Sequence, residues 1–142
     1  MNLNQNFESV VEQAAIKWFK DIGYEYLHGN EIPVEDRKDY REVILKNRLY
    51  KALIRLNPEL PLECIEEAVR QLKSLQYPRI ELNNREIHKI YRNGAKVTRR
   101  NSEGEEVGEI VKIFDYENPE NNDFLICNQV EIKGAARRVP DI

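Results

Sequence analysis

The sequence is poor in the residues that staple a fold or cradle a phosphate. Among 142 residues it has two cysteines and two histidines, with no C-x-x-C and no carboxylate at ligand spacing from His28 or His88. A disulfide framework and a zinc site are therefore unsupported, and Cys64 and Cys127 read as buried thiols, Cys127 within the apolar run that opens Phe124-Leu125-Ile126. The six glycines never cluster. G-x-x-x-x-G-K-[ST], G-x-G-x-x-G and G-x-S-x-G are all absent, which excludes glycine-loop nucleotide binding and α/β-hydrolase chemistry. No uncharged run exceeds seven residues, whereas a bilayer-spanning helix takes about 20. No basic stretch precedes an apolar segment at the start, so no secretory signal is expected and the chain reads as cytoplasmic, with no membrane partner.

What is present is the composition of a globular protein, 41% hydrophobic and 33% charged. At this length a chain buries about 70% of the surface its unfolded form exposes, so one domain over 1–142 needs neither disulfide nor metal to fold. The net charge of −3 argues against a generic polyanion binder, but the charge is segregated. Residues 1–36 carry −5, 37–56 carry +5, 57–78 carry −2, 79–100 carry +5, 101–131 carry −8 and 132–142 carry +2. Two basic blocks in an acidic chain suit a protein that turns one face to a polyanion, although solvated helix faces give the same pattern.

The periodicity predicts a helix over 7–22, with Phe7, Val10, Val11, Ala14, Ala15, Trp18, Phe19 and Ile22 facing a core, Asn6 as N-cap and Gly23 just past its end. Glu8 and Glu12 fall on one shoulder of that stripe. Residues 24–40 read as a short strand and a loop broken by Gly29, Asn30 and Pro33. A second helix is expected over 39–56, with Arg41, Arg48, Lys51 and Arg55 sharing a face. Pro58 and Pro61 force a turn into a third over 62–75, giving an αα-hairpin. A fourth fits 84–92 after Asn83, closed by Asn93-Gly94. The period then changes, and strands are expected over 95–100, 106–116 and 123–133. Helices followed by mostly antiparallel strands make an α+β fold with an antiparallel or mixed sheet. The ending, Val139-Pro140-Asp141-Ile142, looks like the start of a buried strand, and a truncated chain is expected.

Metal-dependent nucleases need a carboxylate and a lysine side by side on a strand, a spacing that Glu131-Ile132-Lys133 has. The same triplet arises from any charged strand face. Where the core order is Pro-Asp, strand, then Glu-x-Lys, the acid must come first, so Glu131 and Lys133 cannot be that pair.

Residues 7–23, Asp39 to Leu45, Arg55-Leu56-Asn57-Pro58, Asn118 to Gln129 and Arg137 to Ile142 resemble, in order and spacing, the N-terminal region of the restriction (R, motor) subunit of type I restriction-modification enzymes. The resemblance covers nearly the whole chain and is most specific from Asn118 to Gln129. It implies the opening part of a PD-(D/E)xK nuclease domain that is followed by two ATP-driven translocase domains. Pro140-Asp141 matches the family's Pro-Asp, making Asp141 the first Mg²⁺ ligand; the Glu-x-Lys would lie beyond Ile142, and ATP would bind only the translocase domains. Glu12, with Glu8 behind it, is the candidate assisting carboxylate on the first helix. Arg41, Arg48, Lys51, Arg55, Arg137 and Arg138 are the candidate contacts to double-stranded DNA. The implied partners are DNA and the modification (methyltransferase) and specificity subunits. The alternative is a non-catalytic module in which the αα-hairpin docks the motor domains, the methyltransferase core or DNA.

Overall fold

A computed structural model describes residues 3–74, 79–133 and 137–138, with backbone alone at 3–6 and 137–138. Among the described residues the order is α1 (Leu3–Asp21), β1 (Glu25–His28), then three successive helices α2 (Lys46–Leu56), α3 (Leu62–Lys73) and α4 (Ile80–Asn93), then the strands β2 (Ala95–Arg100), β3 (Glu106–Val111), β4 (Leu125–Asn128), β5 (Ile132–Lys133) and β6 (Arg137–Arg138). The fold is α+β. The chain forms two compact units, one of residues 1–46 with 124–142 and the other of 47–123.

In the first unit α1 begins earlier than its periodicity implies, so Asn6 lies inside the helix and is not its cap; nothing in Leu3-Asn4-Gln5 breaks a helix. Its end is as expected. Gly23 has φ +100°, its N–H donates to the Lys20 carbonyl at 3.1 Å and the Tyr24 N–H to the Phe19 carbonyl at 2.9 Å, a Schellman motif. The Phe19 and Tyr24 rings then meet edge to face at 4.9 Å, and Tyr24 continues to Phe124 at 5.0 Å. β1 and β4 pair in parallel, Glu25 opposite Leu125 through His28 opposite Asn128.

Three expectations are corrected in this unit. The strand expected over 123–133 is broken into β4 and β5, and β4 pairs in parallel with β1, the mixed alternative rather than the antiparallel one. A run as continuously apolar as Leu125-Ile126-Cys127 suits a parallel pair, and periodicity does not reveal a strand's partner. Cys127 is half-buried rather than fully enclosed. The predicted stripe of α1 does not face a core: Phe7, Val10, Val11, Trp18 and Ile22 are exposed, Trp18 to 68%, Ala14, Ala15 and Phe19 are half-buried, and the buried residue of this helix is Ile16, outside the stripe. Two strands about 4.8 Å apart are only as wide as one helix and cover one side of it.

The second helix starts at Lys46, not at residue 39. Asp39 Oδ1 accepts the Arg41 N–H at 3.0 Å, and the Arg37 guanidinium donates to the carbonyls of Glu42, Tyr40 and Glu131 at 2.7, 2.8 and 2.5 Å. These bonds occupy backbone groups that a helix over 39–45 would need.

The second unit packs α2, α3 and the β2–β3 hairpin around Leu53, Cys64, Ile65, Ala68, Val69, Ala95, Val97, Val111 and Ile113. β2 and β3 are antiparallel from Ala95 opposite Val111 to Arg100 opposite Glu106. α4 begins at Ile80, four residues before the expected start, placing Asn83 inside it. It ends at Gly94, φ +82°, where a Cβ would come within 2.5 Å of Ile110 Cγ2 and 2.7 Å of the Val111 carbonyl oxygen. β3 stops at Val111, well short of residue 116. There the buried Asn57 takes the place of a strand: its Oδ1 accepts the Lys112 N–H at 2.8 Å and its Nδ2 donates to the Lys112 and Leu53 carbonyls, each at 2.9 Å.

Candidate functional site

In the first unit, polar side chains converge where β1 and β4 end. Parallel strands in open sheets place ligand sites at their carboxyl ends, and Asn128 and Gln129 lie at that end of this pair, where the hydroxyl of Tyr26, from the start of β1, reaches Asn128. Asn128 is buried to 3% exposure. Its Oδ1 accepts the Tyr26 hydroxyl at 2.9 Å and its Nδ2 donates to Glu12 Oε1 at 2.7 Å. Gln129 holds φ +51° and donates from Nε2 to the same Oε1 at 3.1 Å. Gly29 lets the end of β1 close onto this corner, since a Cβ there would collide with the Asn128 and Gln129 carbonyls.

Glu12, the candidate assisting carboxylate, is thus fixed by two amides, both on one oxygen. No Lys, Arg or His lies within ion-pair distance of it among the described residues. Glu8 is exposed on the same helix. Asp141 lies outside the described residues, and of Arg137 and Arg138 the backbone of β6 is described. Mg²⁺ takes a near-octahedral shell of oxygen ligands, and no group of three His, Cys, Asp or Glu that could hold a metal occurs among the described residues. Glu12 alone does not fit that ion.

The basic candidates are not one stripe. Arg41 precedes α2, in the loop of the first unit, and is exposed. On α2, Arg48 makes a two-pronged ion pair with Asp123, Nε to Oδ2 at 2.5 Å and Nη2 to Oδ1 at 2.6 Å, with a quarter or less of either side chain exposed. Arg55 donates to the Asn121 carbonyl at 3.1 and 2.8 Å while remaining exposed, and Lys51 is exposed. Arg48 and Arg55 clamp the loop over residues 115–123.

That loop accounts for the Asn-Pro-Glu-Asn-Asn-Asp run. Buried Asp115 accepts the Glu117 and Asn118 N–H groups at 3.1 and 3.0 Å and the Asn121 side-chain amide at 3.1 Å. Asn122 bonds both backbone groups of Asp115, at 2.7 and 2.8 Å. The Asn118 N–H and the Asn121 amide hold the Asp115 carboxyl below the ordinary carboxylate range. Burial, then the charges of Glu63 and Glu109, push the Cys64 thiol up, as suits an inert core cysteine.

Neither histidine is placed for metal binding by a described cluster. His28 caps the turn that follows β1, its N–H donating to Glu31 Oε2 at 2.8 Å, and His88 is exposed on α4. Lys133 lies with Nζ 4.9 Å from the centre of the Tyr40 ring, a cation–π contact. Sequence reasoning missed Tyr26, Asn128 and Gln129. The available signal was an Asn-Gln pair closing an apolar run, since buried amides require partners.

The model of the type I restriction enzyme R protein N terminus matches residues 5–142. The chain is 35% identical over 133 residues to a Methanocaldococcus jannaschii protein named as the MjaIXP endonuclease subunit of a type I restriction enzyme, a match that covers 92% of this chain and 12% of that protein. It is 30% identical over 141 residues to the type I restriction enzyme HindI endonuclease subunit of Haemophilus influenzae, covering 95% of this chain and 13% of that subunit. The chain therefore spans about an eighth of the length of these relatives. No solved structure matches.

Proposed function

The chain belongs to the family of type I restriction enzyme R protein N termini, and on that premise we propose that it is the opening part of a PD-(D/E)xK nuclease domain in an endonuclease subunit that cleaves unmodified double-stranded DNA. The family match over residues 5–142 carries this reading. Glu12 and Asp141 are the carboxylates assigned to Mg²⁺, together with a glutamate from a Glu-x-Lys on a later strand. Held by these carboxylates, Mg²⁺ would supply Lewis-acid chemistry at the scissile phosphate. The residues of this chain orient and hold. Tyr26 fixes Asn128, and Asn128 with Gln129 fixes Glu12. Support for one shared centre comes from the β5–β6 pair. Ile132, three residues after Gln129, stands opposite Arg138, three residues before Asp141.

In this reading Arg41, Lys51, Arg55, Arg137 and Arg138 contact DNA phosphates, and Arg48 acts through the loop it holds. ATP is bound by translocase domains elsewhere in the subunit, and the modification and specificity subunits complete a cytoplasmic complex. No helix among the described residues is long and apolar enough to cross a membrane. The test is made in the complete subunit within its complex. Glu12→Gln and Asp141→Asn should each lower DNA cleavage at least about 100-fold while DNA binding persists; cleavage at the unsubstituted rate in both variants would overturn the assignment.

A docking role is favoured by one observation, the uncovered apolar arc of α1, rather than by the αα-hairpin. Trp18, the single tryptophan, reports on it. In the isolated chain its emission should be red-shifted and readily quenched by acrylamide, and in the complete subunit it should be shielded. Equal quenching in both would rule docking by this face out.

A further inference from the structure

The basic block of residues 79–100 has no part in the reading above. In the second unit it begins with α4, where Arg85, His88 and Arg92 occupy one arc of about 60° at 100° per residue and all three are exposed. The acids of this helix are taken: Glu81 pairs with Arg79 at 3.6 Å and Glu86 with Lys89 at 2.7 Å. Among the described residues, Arg85 and Arg92 make no ion pair. Their charges are available to a ligand.

Beside Arg92 three aromatic rings stand in series. Tyr91 meets Phe114 edge to face at 5.4 Å, and Phe114 meets Tyr116 at 6.1 Å with the planes 48° apart. Tyr116 is 65% exposed, yet it is held, because its hydroxyl donates to the Tyr91 carbonyl at 2.9 Å. A cleft of about 740 Å³ opens among His88, Tyr91, Arg92, Phe114 and Tyr116. An ordered ring offered to solvent beside unneutralised guanidinium groups is what a nucleic-acid strand requires: bases stack on aromatic faces and phosphates pair with arginine.

We propose that this cleft binds single-stranded nucleic acid, with an unpaired base stacked on Tyr116 and neighbouring phosphates held by Arg92 and Arg85. The seven-residue spacing of the two arginines separates them by about 10 Å along the helix, within side-chain reach of phosphates on one strand. The site is independent of Glu12 and needs no metal. It can therefore fail while the nuclease assignment stands, and the reverse.

The test is fluorescence anisotropy of a labelled oligothymidylate with the 142-residue chain in EDTA, over a series of salt concentrations. Tyr116→Ala should weaken binding about tenfold, whereas Tyr116→Phe, which keeps the stacking face and loses only the hydroxyl that holds it, should weaken it about threefold or less. The double variant Arg85→Ala/Arg92→Ala should lower the slope of log affinity against log salt by about 1.4, from about 0.7 per phosphate on a single strand. Melting temperatures identify any variant that does not fold, and the arginine pair carries the test if Tyr116→Ala is one. No binding by the unsubstituted chain would overturn the proposal. So would affinity that is unchanged in Tyr116→Ala and Arg85→Ala/Arg92→Ala, or a polyglutamate competitor that displaces the oligonucleotide and binds with the same dependence on Tyr116.

Discussion

At the residue scale, two buried polar side chains do what backbone pairing would do elsewhere. Asn57 satisfies both backbone groups of Lys112 and ties them to the end of α2. Asn57→Ala leaves those groups unpartnered and should destabilise the chain by about 2 to 3 kcal/mol in urea unfolding; a loss under about 0.5 kcal/mol would mean that water replaces the amide. Asp115 organises its loop as an acceptor. Since its folded carboxyl is held below the ordinary range, its contribution is fully present above the unfolded value of about 3.9 and disappears as pH falls through the lower folded value. Asp115→Asn should therefore flatten the loss of stability seen on acidification below about pH 4. An acid limb identical to that of the unsubstituted chain would locate the effect in other carboxylates.

At the element scale, the loop over residues 115–123 is fastened to α2 through Arg48 and Arg55. A double-mutant cycle on Arg48→Ala and Asp123→Ala should return about 1 to 2 kcal/mol of coupling, because the pair is two-pronged and mostly shielded. Coupling near zero would make it an ordinary surface pair. Gly94→Ala should cost about 1 to 3 kcal/mol, since a side chain at φ +82° is strained and meets Ile110 and Val111. Element identity was largely legible in the sequence. Gly23 and Asn93-Gly94 marked their helix ends because few residues tolerate positive φ, and the change of period after Gly94 marked a hairpin of 95–100 with a strand expected over 106–116, of which Glu106–Val111 forms. Starts were less legible: Asn6 and Asn83 have the chemistry of caps but lie inside helices, and Asp39 used its side chain in a turn. Strand partnership was not legible at all for β4. Its mate lies 100 residues away, and no local pattern encodes that distance. Periodicity placed Glu12 on the shoulder of α1 and the family resemblance made it a candidate, while its holders Asn128 and Gln129 depended on that same unseen pairing.

At the scale of the whole molecule, the chain spans about an eighth of the length of its relatives, and in the proposed reading it is one part of a nuclease domain. In that reading Glu12 and Asp141 lack the glutamate and lysine of a Glu-x-Lys, so the 142-residue chain with Mg²⁺ should leave supercoiled DNA uncut. Robust metal-dependent nicking that is lost in Asp141→Ala would show that the chain carries a complete site. The most direct measurement is to sequence the source reading frame past Ile142. A Glu-x-Lys on the next strand pattern, followed by helicase motifs, is the predicted result; a stop codon immediately after Ile142 would contradict the account and leave a binding module without a nuclease.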